Sequence, residues 1–353
     1  GIGRAMRHQM EALKRAGVDY TISKKDDFDI AHINTLYSKS KRLLKRCNKK
    51  GIPVIVHGHS TYEDFRDSFA LWKVMKLYFY PQLTYMYKHA GMIITPTNYS
   101  KELIENYGFN KKVLAVSNGI SIKDYAQDEN KVKAFKEFFN IKDNEKVIIG
   151  IGLPFQRKGI HDFFDVAREF KDIKFIWFGH LAKILVSSFV KKAIRHKPDN
   201  VIMPGYIDND IIKGAMQYSS LLFFPSYEET EGIVVLEGLA SKCPVLVRDI
   251  GVYADWLTDG VNCYKGKNNS ESVKKIKYIL QNDNSKIIEN GYDLAKARNL
   301  SQVGEDLKAI YEELRRDKSN VHISALCPGP VDTEFNKVAK GDFNTKPLTA
   351  DKV

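Results

Sequence analysis

Several features that the sequence lacks exclude classes of protein to which it could otherwise belong. None of the 353 residues falls in a run near twenty apolar residues, the length that a membrane-spanning helix needs. No charged segment followed by an apolar one marks a secretion signal. Cysteine is scarce, and the four cysteines at 47, 243, 263 and 327 form no CxxC pair. We therefore expect a reduced, cytoplasmic protein without structural disulfides or zinc.

Positive charge is abundant and unevenly spread. The formal net charge is +12, and residues 1–122 hold 20 Lys and Arg against 10 Asp and Glu, a difference of +10. One-sided charge of this kind attracts phosphates, whether in nucleic acid, anionic lipid or a diphosphate ligand. No helix-turn-helix, zinc or RNA-binding signature accompanies it, so we expect no nucleic-acid partner.

The stretch 69–80 interleaves aromatic and aliphatic residues with Lys73 and Lys76. A helix of this composition can lie in a lipid headgroup layer. It can equally pack as a core helix between two layers, and the sequence leaves both interpretations open.

Short β-branched runs alternate with helical segments, which predicts parallel sheets with crossover helices. We expect strands near 18–22, 29–33, 53–57, 92–95 and 113–116, then, after Lys146, near 147–151, 174–178, 201–203, 221–224 and 245–247. Helices should lie near 4–16, 39–50, 65–90 (interrupted by Pro81), 100–107, 160–170, 182–195, 210–217, 232–241 and 270–281. The pattern predicts two α/β lobes joined by residues 124–144, with ligands in the cleft between them, beyond the carboxyl ends of strands.

The segment Gly1-Ile2-Gly3 leads straight into a helical pattern, as a loop after a strand would. An open α/β lobe normally places its first strand centrally. We therefore expect the first strand of the N-terminal lobe to be missing.

The strongest chemical signal lies between Phe223 and Ala240, where a strand, an acidic loop and an apolar helix follow one another. Gly232 opens that helix, whose unpaired N–H groups suit a diphosphate. Glu229 precedes the helix and Glu237 lies within it; two carboxylates so placed can accept hydroxyl hydrogen bonds from one sugar nucleotide. The alternative is an acidic residue that merely complements the helix dipole. Glu237, between Leu236 and Leu239, should be buried and so needs a partner.

These residues, in the pattern Pro-Ser-x-x-Glu-x-x-Gly-x-x-x-x-Glu, resemble the signature of the retaining GT4 glycosyltransferases. Other segments match that family in the same order, so that the resemblance spans residues 1 to about 317. In the first lobe, Gly1–Gly3 match the first glycine-rich loop and 116–120 match the stretch before the interlobe linker. Further along the chain, the matches are 152–159 with the glycine-to-Lys-Gly phosphate loop, 204–207 with the nucleotide-base loop, 249–251 with the loop after the next strand, and 301–315 with the closing helix. The resemblance implies a GT-B fold of two Rossmann-like lobes with an interdomain cleft. The implied domains are 1–122 with a crossover helix near 300–317, and 123–299.

Residue roles follow from the same resemblance. Glu229 is expected to contact the transferred sugar, Glu237 the nucleotide ribose, and Lys158 the diphosphate. The family usually has Arg after the glycine at 152, but Leu153 stands there, so we expect Arg157 to supply that charge; the alternative is a solvated Arg157-Lys158 turn. The remaining donor-binding positions implied are Gly3, Gly152, Tyr206, Ile207, Gly232 and Ile233.

His59, in the segment 56–61 after a strand, resembles the family histidine near the transferred sugar and the acceptor. Imidazole can donate or accept a proton near neutral pH. The pair His57-x-His59 is also a possible metal site, but no carboxylate or cysteine set accompanies it, and the family works without metal. The resemblance implies transfer with retention by front-face substitution, with no cofactor besides the UDP-sugar donor.

The first lobe is similar to the glucosyl-diacylglycerol glycosyltransferases of Gram-positive bacteria, on the segments Gly-Ile-Gly-Arg-Ala, 57–65 and 152–159. That similarity implies a UDP-glucose or UDP-galactose donor, a glycolipid acceptor such as glucosyl-diacylglycerol, and a role in building the lipoteichoic acid anchor. It also implies a peripheral position on the anionic inner face of the membrane. A transferase for capsule or another cell-surface polysaccharide would share every donor motif.

From about residue 319 the pattern changes. A strand followed by Pro328-Gly329-Pro330-Val331 and Thr333 resembles the cofactor-capping segment of short-chain dehydrogenases. No Gly-x-x-x-Gly-x-Gly or catalytic Tyr-x-x-x-Lys accompanies it, so we expect 318–353 to be a fused remnant without dehydrogenase activity. A non-catalytic sugar- or lipid-binding protein is a third alternative.

Overall fold

The computed structural model describes residues 1–316 and 324–326. The chain forms two compact units. Unit 1 comprises residues 1–65, 72–121 and the described residues from 297 on; unit 2 comprises 66–71 and 122–296. Each unit contains one six-stranded sheet, and every strand pair in both sheets is parallel.

The sheet of unit 1 has the order β1-β12-β2-β3-β4-β5. Five of its strands follow one another along the chain, and each is short and rich in apolar residues, as expected of strands covered on both faces. The six strands are β1 (Asp19–Thr21), β2 (Ile30–Ile33), β3 (Val54–His57), β4 (Met92–Thr95), β5 (Val113–Ala115) and β12 (Ser324–Leu326).

Strand β12 comes from the segment with dehydrogenase-like sequence. It lies between β1 and β2, with Ala325 in register with Tyr20 on one side and Ile30 on the other. No strand precedes the first helix in the described chain, and β12 is an interior strand of the sheet, next to the edge strand β1, rather than a central one. The rest of the dehydrogenase-like pattern, including 328–331 and Thr333, lies outside the described residues.

Successive residues of the unit 1 strands face opposite layers, because side chains alternate across a strand. Val54 and Val56 pack into a core with Leu43 and Leu83, whereas Ile55 joins a second core on the other face. The helices of unit 1 supply these two layers: α1 (Ile2–Arg15) and α13 (Leu300–Arg316) on one side, and α2 (Ser38–Lys50), α4 (Trp72–His89) and α5 (Asn98–Asn106) on the other; the short α3 spans Tyr62–Phe65.

Helix α4 differs from the helix expected over 65–90. The helix begins at Trp72, and Pro81 lies inside it without interrupting it. The Thr84 hydroxyl donates to the Tyr80 carbonyl at 2.8 Å, which adds a side-chain hydrogen bond next to the proline. Only the second half of α4 is buried, at positions such as Leu83 and Met86, so the core interpretation holds for that half alone.

The sheet of unit 2 has the order β11-β10-β9-β6-β7-β8. Its strands are β6 (Val147–Ile151), β7 (Lys174–Phe178), β8 (Val201–Ile202), β9 (Leu221–Phe224), β10 (Val245–Arg248) and β11 (Tyr264–Gly266). Five of these were expected from apolar runs. Strand β11 was not, because Lys265 and Gly266 carry no β signal.

Large aromatic side chains fill the core of unit 2; Trp177, for example, is fully buried and meets Phe163 edge to face at 5.2 Å. The surrounding helices are α6 (Glu129–Phe138), α7 (Ile160–Ala167), α8 (Ser188–Arg195), α9 (Asn209–Tyr218), α10 (Ile233–Ala240), α11 (Asn269–Gln281) and α12 (Ser285–Ala297). Helix α6 lies inside the segment 124–144 that we expected to be a linker. Asp128 caps it by accepting from the N–H groups of Asn130 and Lys131.

Two further properties bear on the expected cellular setting. Across the described residues, no helix combines the length and the apolarity that crossing a membrane requires. Cys47, Cys243 and Cys263 are buried free thiols, and Cys327 lies outside the described residues.

Candidate functional site

The polar cluster of unit 2 lies where two neighbouring strands end. Strands β6 and β9 are adjacent, with Ile149 in register with Leu222. Because both are parallel, the loops that leave their carboxyl ends emerge on the same edge of the sheet. These loops cover residues 152–159 and 225–232, the two segments in which the sequence places half of the donor-binding residues.

Glycine at 159 allows these loops to meet. Its φ is +69°, a backbone conformation that L residues with side chains rarely adopt, and a Cβ there would lie 2.2 Å from the Pro225 carbonyl oxygen. Arg248 also fixes that carbonyl, since its Nε donates to it at 3.1 Å. The ends of the two loops are therefore held together by backbone packing.

Glu229 is the centre of the cluster, and its side chain is almost fully buried. Its Oε1 atom accepts a short hydrogen bond from the Lys158 ammonium group and another from the Ser226 hydroxyl at 2.6 Å. Arg157 Nη1 lies 3.7 Å from the same oxygen. One carboxylate thus faces two cations and a hydroxyl.

Arg157 is held from several directions. Its Nη1 donates to the Glu228 carbonyl at 2.7 Å, and its Nε donates to the Ser68 hydroxyl at 3.0 Å. Its backbone N–H donates to the Asp67 carbonyl at 3.3 Å. The sequence did not identify Ser68 or Asp67, which lie about ninety residues upstream in a segment without a recognisable motif.

Electrostatics favour an ionised Glu229. Burial alone would raise the pKa of this carboxyl, but the charges of Lys158 and Arg157, with hydrogen bonds from Lys158 and Ser226, outweigh it and leave the pKa below its usual value. Arg157 is 8% exposed, so the alternative of a solvated Arg157-Lys158 turn does not hold. The cluster combines positive charge, which suits phosphate oxygens, with a carboxylate, which suits hydroxyl groups.

Helix α10 follows directly. Gly232 precedes it with a φ of +85°, and a Cβ at that position would lie 2.8 Å from the Tyr253 hydroxyl. Ile233 is the first helical residue, and Glu237, one turn later, is 1% exposed. The structure therefore places the predicted phosphate-binding helix start immediately after the Glu229 loop, with the second carboxylate in its buried interior.

Of three further predicted positions in unit 2, one lies beside this cluster and two do not. Gly152 follows β6, and a Cβ there would be 3.6 Å from the Lys158 side chain. Tyr206, about half exposed, and Ile207, which is buried, follow β8. Strand β8 is separated from β6 by β7, so these two residues lie toward the edge of the sheet rather than at the Glu229 cluster.

Two predicted positions, Gly3 and His59, belong to unit 1. Gly3 lies in the first turn of α1 rather than in a loop, because the helix already begins at Ile2; the space beside it is open, with no atom within 4 Å of an added Cβ. His59 follows β3 and is 9% exposed, with its Nε2 2.8 Å from Asn34 Oδ1. Among the described residues, no group of three or more His, Cys, Asp or Glu side chains is arranged to hold a metal ion. The pair His57 and His59 therefore belongs to no such group.

Comparisons with known proteins show the family of the chain. The family profile described as "Glycosyl transferases group 1" matches residues 131–294, and that of "Glycosyltransferase Family 4" matches residues 12–124. The "Processive diacylglycerol alpha-glucosyltransferase" of Acholeplasma laidlawii is 50% identical over 319 residues, which cover 90% of this chain and 95% of that protein. The "Alpha-galactosylglucosyldiacylglycerol synthase" of Streptococcus pneumoniae is 23% identical, over 72% of this chain and 70% of its own length.

Solved structures share the fold. Anabaena HepE, solved in complex with UDP and glucose, superposes with a TM-score of 0.66 at 15% identity, over 81% of this chain and 78% of that one. Sucrose-phosphate synthase from Thermosynechococcus elongatus gives 0.67 at 15% identity, over 82% and 74%. The fold is GT-B, and the chain belongs to glycosyltransferase family 4.

Proposed function

We propose that this protein transfers a hexose, glucose or galactose, from a UDP-sugar to a membrane glycolipid of the glucosyl-diacylglycerol type, with retention of anomeric configuration. The observation that carries the proposal is the buried cluster of Glu229 with Lys158 and Arg157 at the start of α10. The names of the relatives from Acholeplasma and Streptococcus support a diacylglycerol-based acceptor, and the first of them supports glucose as the donor sugar.

Each residue of the cluster has a part in the proposed mechanism. Lys158 and Arg157 stabilise the negative charge that develops on the leaving diphosphate, together with the N–H groups at the start of α10. Glu229 accepts hydrogen bonds from hydroxyl groups of the transferred sugar, and Glu237 from the nucleotide ribose. Because the carboxylate already holds both cations in place, little reorganisation is needed when the donor binds.

His59 of unit 1 serves the acceptor and the transferred sugar in this proposal. The acceptor hydroxyl loses its proton as the new glycosidic bond forms and the bond to the diphosphate breaks. In front-face substitution the leaving diphosphate takes that proton, and His59 orients the sugar hydroxyls by hydrogen bonding. No resident metal or cofactor takes part.

We propose further that unit 1 contacts an anionic membrane surface from the cytoplasmic side. The first half of α4 exposes Val74 by 63%, Leu77 by 72% and Tyr78 by 56%, with Lys73 and Lys76 beside them. Apolar side chains presented to solvent next to lysines are suited to the boundary between headgroups and acyl chains.

Helix α2 adds a strongly basic surface. Its 13 residues include no acidic residue and seven basic ones: Lys39, Lys41, Arg42, Lys45, Arg46, Lys49 and Lys50. Burial and then the charges of Lys39, Arg42 and Arg46 lower the pKa of nearby Lys24, which indicates that these cations crowd one another. Each Lys or Arg near an anionic surface contributes about 1 kcal/mol to binding.

The activity is tested by incubating the full chain with UDP-glucose or UDP-galactose and liposomes that contain glucosyl-diacylglycerol, followed by product analysis. We expect a lipid with one more hexose in α linkage. Glu229→Ala and Glu237→Ala should abolish its formation, whereas Glu289→Ala, which changes an exposed glutamate of α12, should not. Near-normal transfer by both site variants contradicts the site assignment. Transfer only to a polysaccharide acceptor favours the capsule alternative, and donor binding without UDP release favours a non-catalytic protein.

The membrane proposal is tested by vesicle sedimentation with and without anionic lipid. The double variant Arg42→Gln, Lys45→Gln should bind anionic vesicles about tenfold to thirtyfold less tightly, from about 1 kcal/mol per charge. The matched control Lys274→Gln, Lys277→Gln removes the same charge from an exposed face of unit 2 and should leave binding unchanged. Equal binding of the unchanged protein to neutral and anionic vesicles contradicts an electrostatic role.

A further inference from the structure

Three buried histidine rings form a column in unit 1. The rings of His57 and His59 stack with centroids 3.9 Å apart, and those of His32 and His57 with centroids 5.2 Å apart. His32 and His57 lie on the adjacent strands β2 and β3, and His59 lies just beyond β3. The proposed mechanism uses His59 alone and gives the other two no part.

A chain of hydrogen bonds connects His59 to the far end of this column through two amides. Nε2 of His59 lies 2.8 Å from Asn34 Oδ1, and Asn34 Nδ2 donates to Gln9 Oε1 at 2.7 Å. Gln9 Nε2 lies 2.6 Å from Nδ1 of His32. Asn34 and Gln9 are both buried, so these bonds have little competition from water.

The direction of the chain follows from the amides. An amide oxygen only accepts and an amide nitrogen only donates. Asn34 Oδ1 therefore requires a proton on Nε2 of His59, and Gln9 Nε2 requires an unprotonated Nδ1 on His32.

The far end is consistent with this direction. The Tyr311 hydroxyl also lies 2.6 Å from Nδ1 of His32, so it shares the single lone pair of this nitrogen with the Gln9 amide. His32 then carries its proton on Nε2, which lies 3.1 Å from Nδ1 of His57 and donates to it. His59 and His32 therefore hold their single proton on Nε2. The proton of His57 then lies on its own Nε2, a buried nitrogen that makes no hydrogen bond within the part of the chain that the structure describes. Turning both amides over would reverse every bond, so the tautomers of His59 and His32 are linked.

We propose that Asn34 is a positioning residue that holds His59 in the Nε2–H tautomer and so presents Nδ1 as a hydrogen-bond acceptor to a substrate hydroxyl. The catalytic part of this inference rests on the proposed function, which gives His59 its substrate. The tautomer itself does not, because it follows from contacts within unit 1.

A fixed tautomer matters only for a neutral imidazole. Burial, with smaller contributions from His57 and His32, lowers the pKa of His59 well below the usual 6.5. The ring is therefore uncharged near neutral pH, and the position of its one proton decides whether Nδ1 donates or accepts.

The first test is nitrogen-15 NMR of the full chain labelled at histidine, with the His59 signals assigned by loss in His59→Asn. Long-range proton–nitrogen couplings distinguish the two neutral tautomers. We expect the Nε2–H pattern for His59 near pH 7, and a mixture of tautomers in Asn34→Leu. An Nδ1–H pattern or a charged imidazolium in the unchanged protein overturns the proposal, whatever the enzyme proves to catalyse.

The second test compares two substitutions at the same position. Asn34→Leu removes the acceptor and should lower kcat by about tenfold to a hundredfold, with KM for the sugar nucleotide unchanged, which is the range for a buried group that loses its hydrogen-bond partner. Asn34→Asp keeps an oxygen for Nε2–H and should recover most of kcat, although both variants lose the bond to Gln9. Equal kcat losses in the two variants, in proportion to their thermal stability, indicate a merely structural role and overturn the proposal. If the tautomer is as expected but no variant transfers sugar, the proposed function fails and the tautomer assignment stands.

Discussion

The two units bury polar groups of opposite kinds. Unit 2 holds a charged cluster, in which the Glu229 carboxylate meets Lys158 and Arg157. Unit 1 holds an uncharged network, in which His32, His57 and His59 are joined to amide and hydroxyl groups. Charges inside a protein are tolerated only with partners, whereas buried imidazoles lose their proton instead. The comparison indicates that unit 2 is suited to stabilising charge and unit 1 to orienting hydroxyl groups.

The units also differ in how they build their sheets. All six strands of unit 2 come from one continuous stretch of chain, from Val147 to Gly266. Unit 1 takes its strand β12 from residues 324–326, nearly three hundred residues beyond its neighbour β2. A strand bound by so distant a connection can be removed without cutting the rest of the sheet, so its contribution can be measured.

The largest effect on catalysis should follow from removing the negative charge of Glu229 from the unit 2 cluster. Glu229→Gln keeps the shape of the side chain but leaves two cations without their counter-ion, and it weakens the proposed contact with the sugar. We expect kcat/KM to fall by about a hundredfold to a thousandfold, the range for losing one electrostatic group at a reacting centre.

Asp162→Asn is the matched comparison, because Asp162 forms another buried ion pair of unit 2, at 2.9 Å from Arg248. It should lower the free energy of unfolding by about 3 kcal/mol, as for a broken buried pair, and should lower kcat of the folded enzyme far less than Glu229→Gln does, because Asp162 reaches the loops only through Arg248. Equal losses of kcat/KM in the two variants would mean that Glu229 matters for stability rather than for transfer.

Removing β12 should act on unit 1 alone. A chain ending at residue 317 loses the backbone hydrogen bonds on both sides of β12, each contributing about 1 kcal/mol. We expect the amides of β1 and β2 to exchange with solvent about a hundredfold faster, equivalent to about 3 kcal/mol, while β6 and β7 of unit 2 keep their protection. Hydrogen exchange read by mass spectrometry measures both regions at once.

A chain ending at residue 330 keeps β12 and serves as the control. If it exchanges like the shorter chain, the strand is not the cause; if neither chain differs from the full one, unit 1 does not depend on β12.

Acid should destabilise unit 1 before unit 2, and the loss of stability for each titrating residue should be smaller than the effects above. Burial lowers the pKa of His57 from 6.5 to about 3, and burial with the neighbouring His57 lowers that of His32 well below 6.5. Below about pH 6.5 the unfolded chain therefore takes up protons that the folded chain refuses, and unit 1 loses stability as the pH falls. The loss reaches about 2 kcal/mol for each histidine at pH 5.

Unit 2 should lose stability only at a lower pH than unit 1. The pKa of Glu229 lies below its usual 4.5, so its stabilising contribution is present above that value and is lost only as the pH falls further. Denaturant unfolding at a series of pH values, followed by hydrogen exchange in each unit, checks the order. His57→Gln should flatten the dependence of unit 1, whereas a change at the exposed His180 should not. Simultaneous loss of both units near pH 6 contradicts the assignment.

Local pattern was sufficient for much of this structure. The strands at 92–95, 147–151, 174–178 and 221–224 occur where buried apolar runs predict them. The contact of Arg157 and Lys158 with Glu229 also agrees with loops that follow adjacent strands, although the roles given to these residues remain predictions.

Several of the failures share a cause, namely long-range contacts that no local pattern records. The place of β12 depends on pairing with residues at the other end of the chain, and the hydrogen bond between Arg157 and Ser68 spans 89 positions. The helix expected from residue 65 begins at Trp72 because residues 66–71 pack in unit 2 instead.

The segment 66–71 also limits how the chain can be divided into its two units. Over residues 1–316 the chain passes from one unit to the other four times, at 65–66, 71–72, 121–122 and 296–297. A protease that cuts at any single one of these places leaves covalent connections at the other three. Neither unit can then be released as an intact fragment, and neither can be expressed from one uninterrupted piece of the gene. Exchange of donor or acceptor specificity between relatives by recombination at a single point would therefore divide a unit instead of transferring it whole.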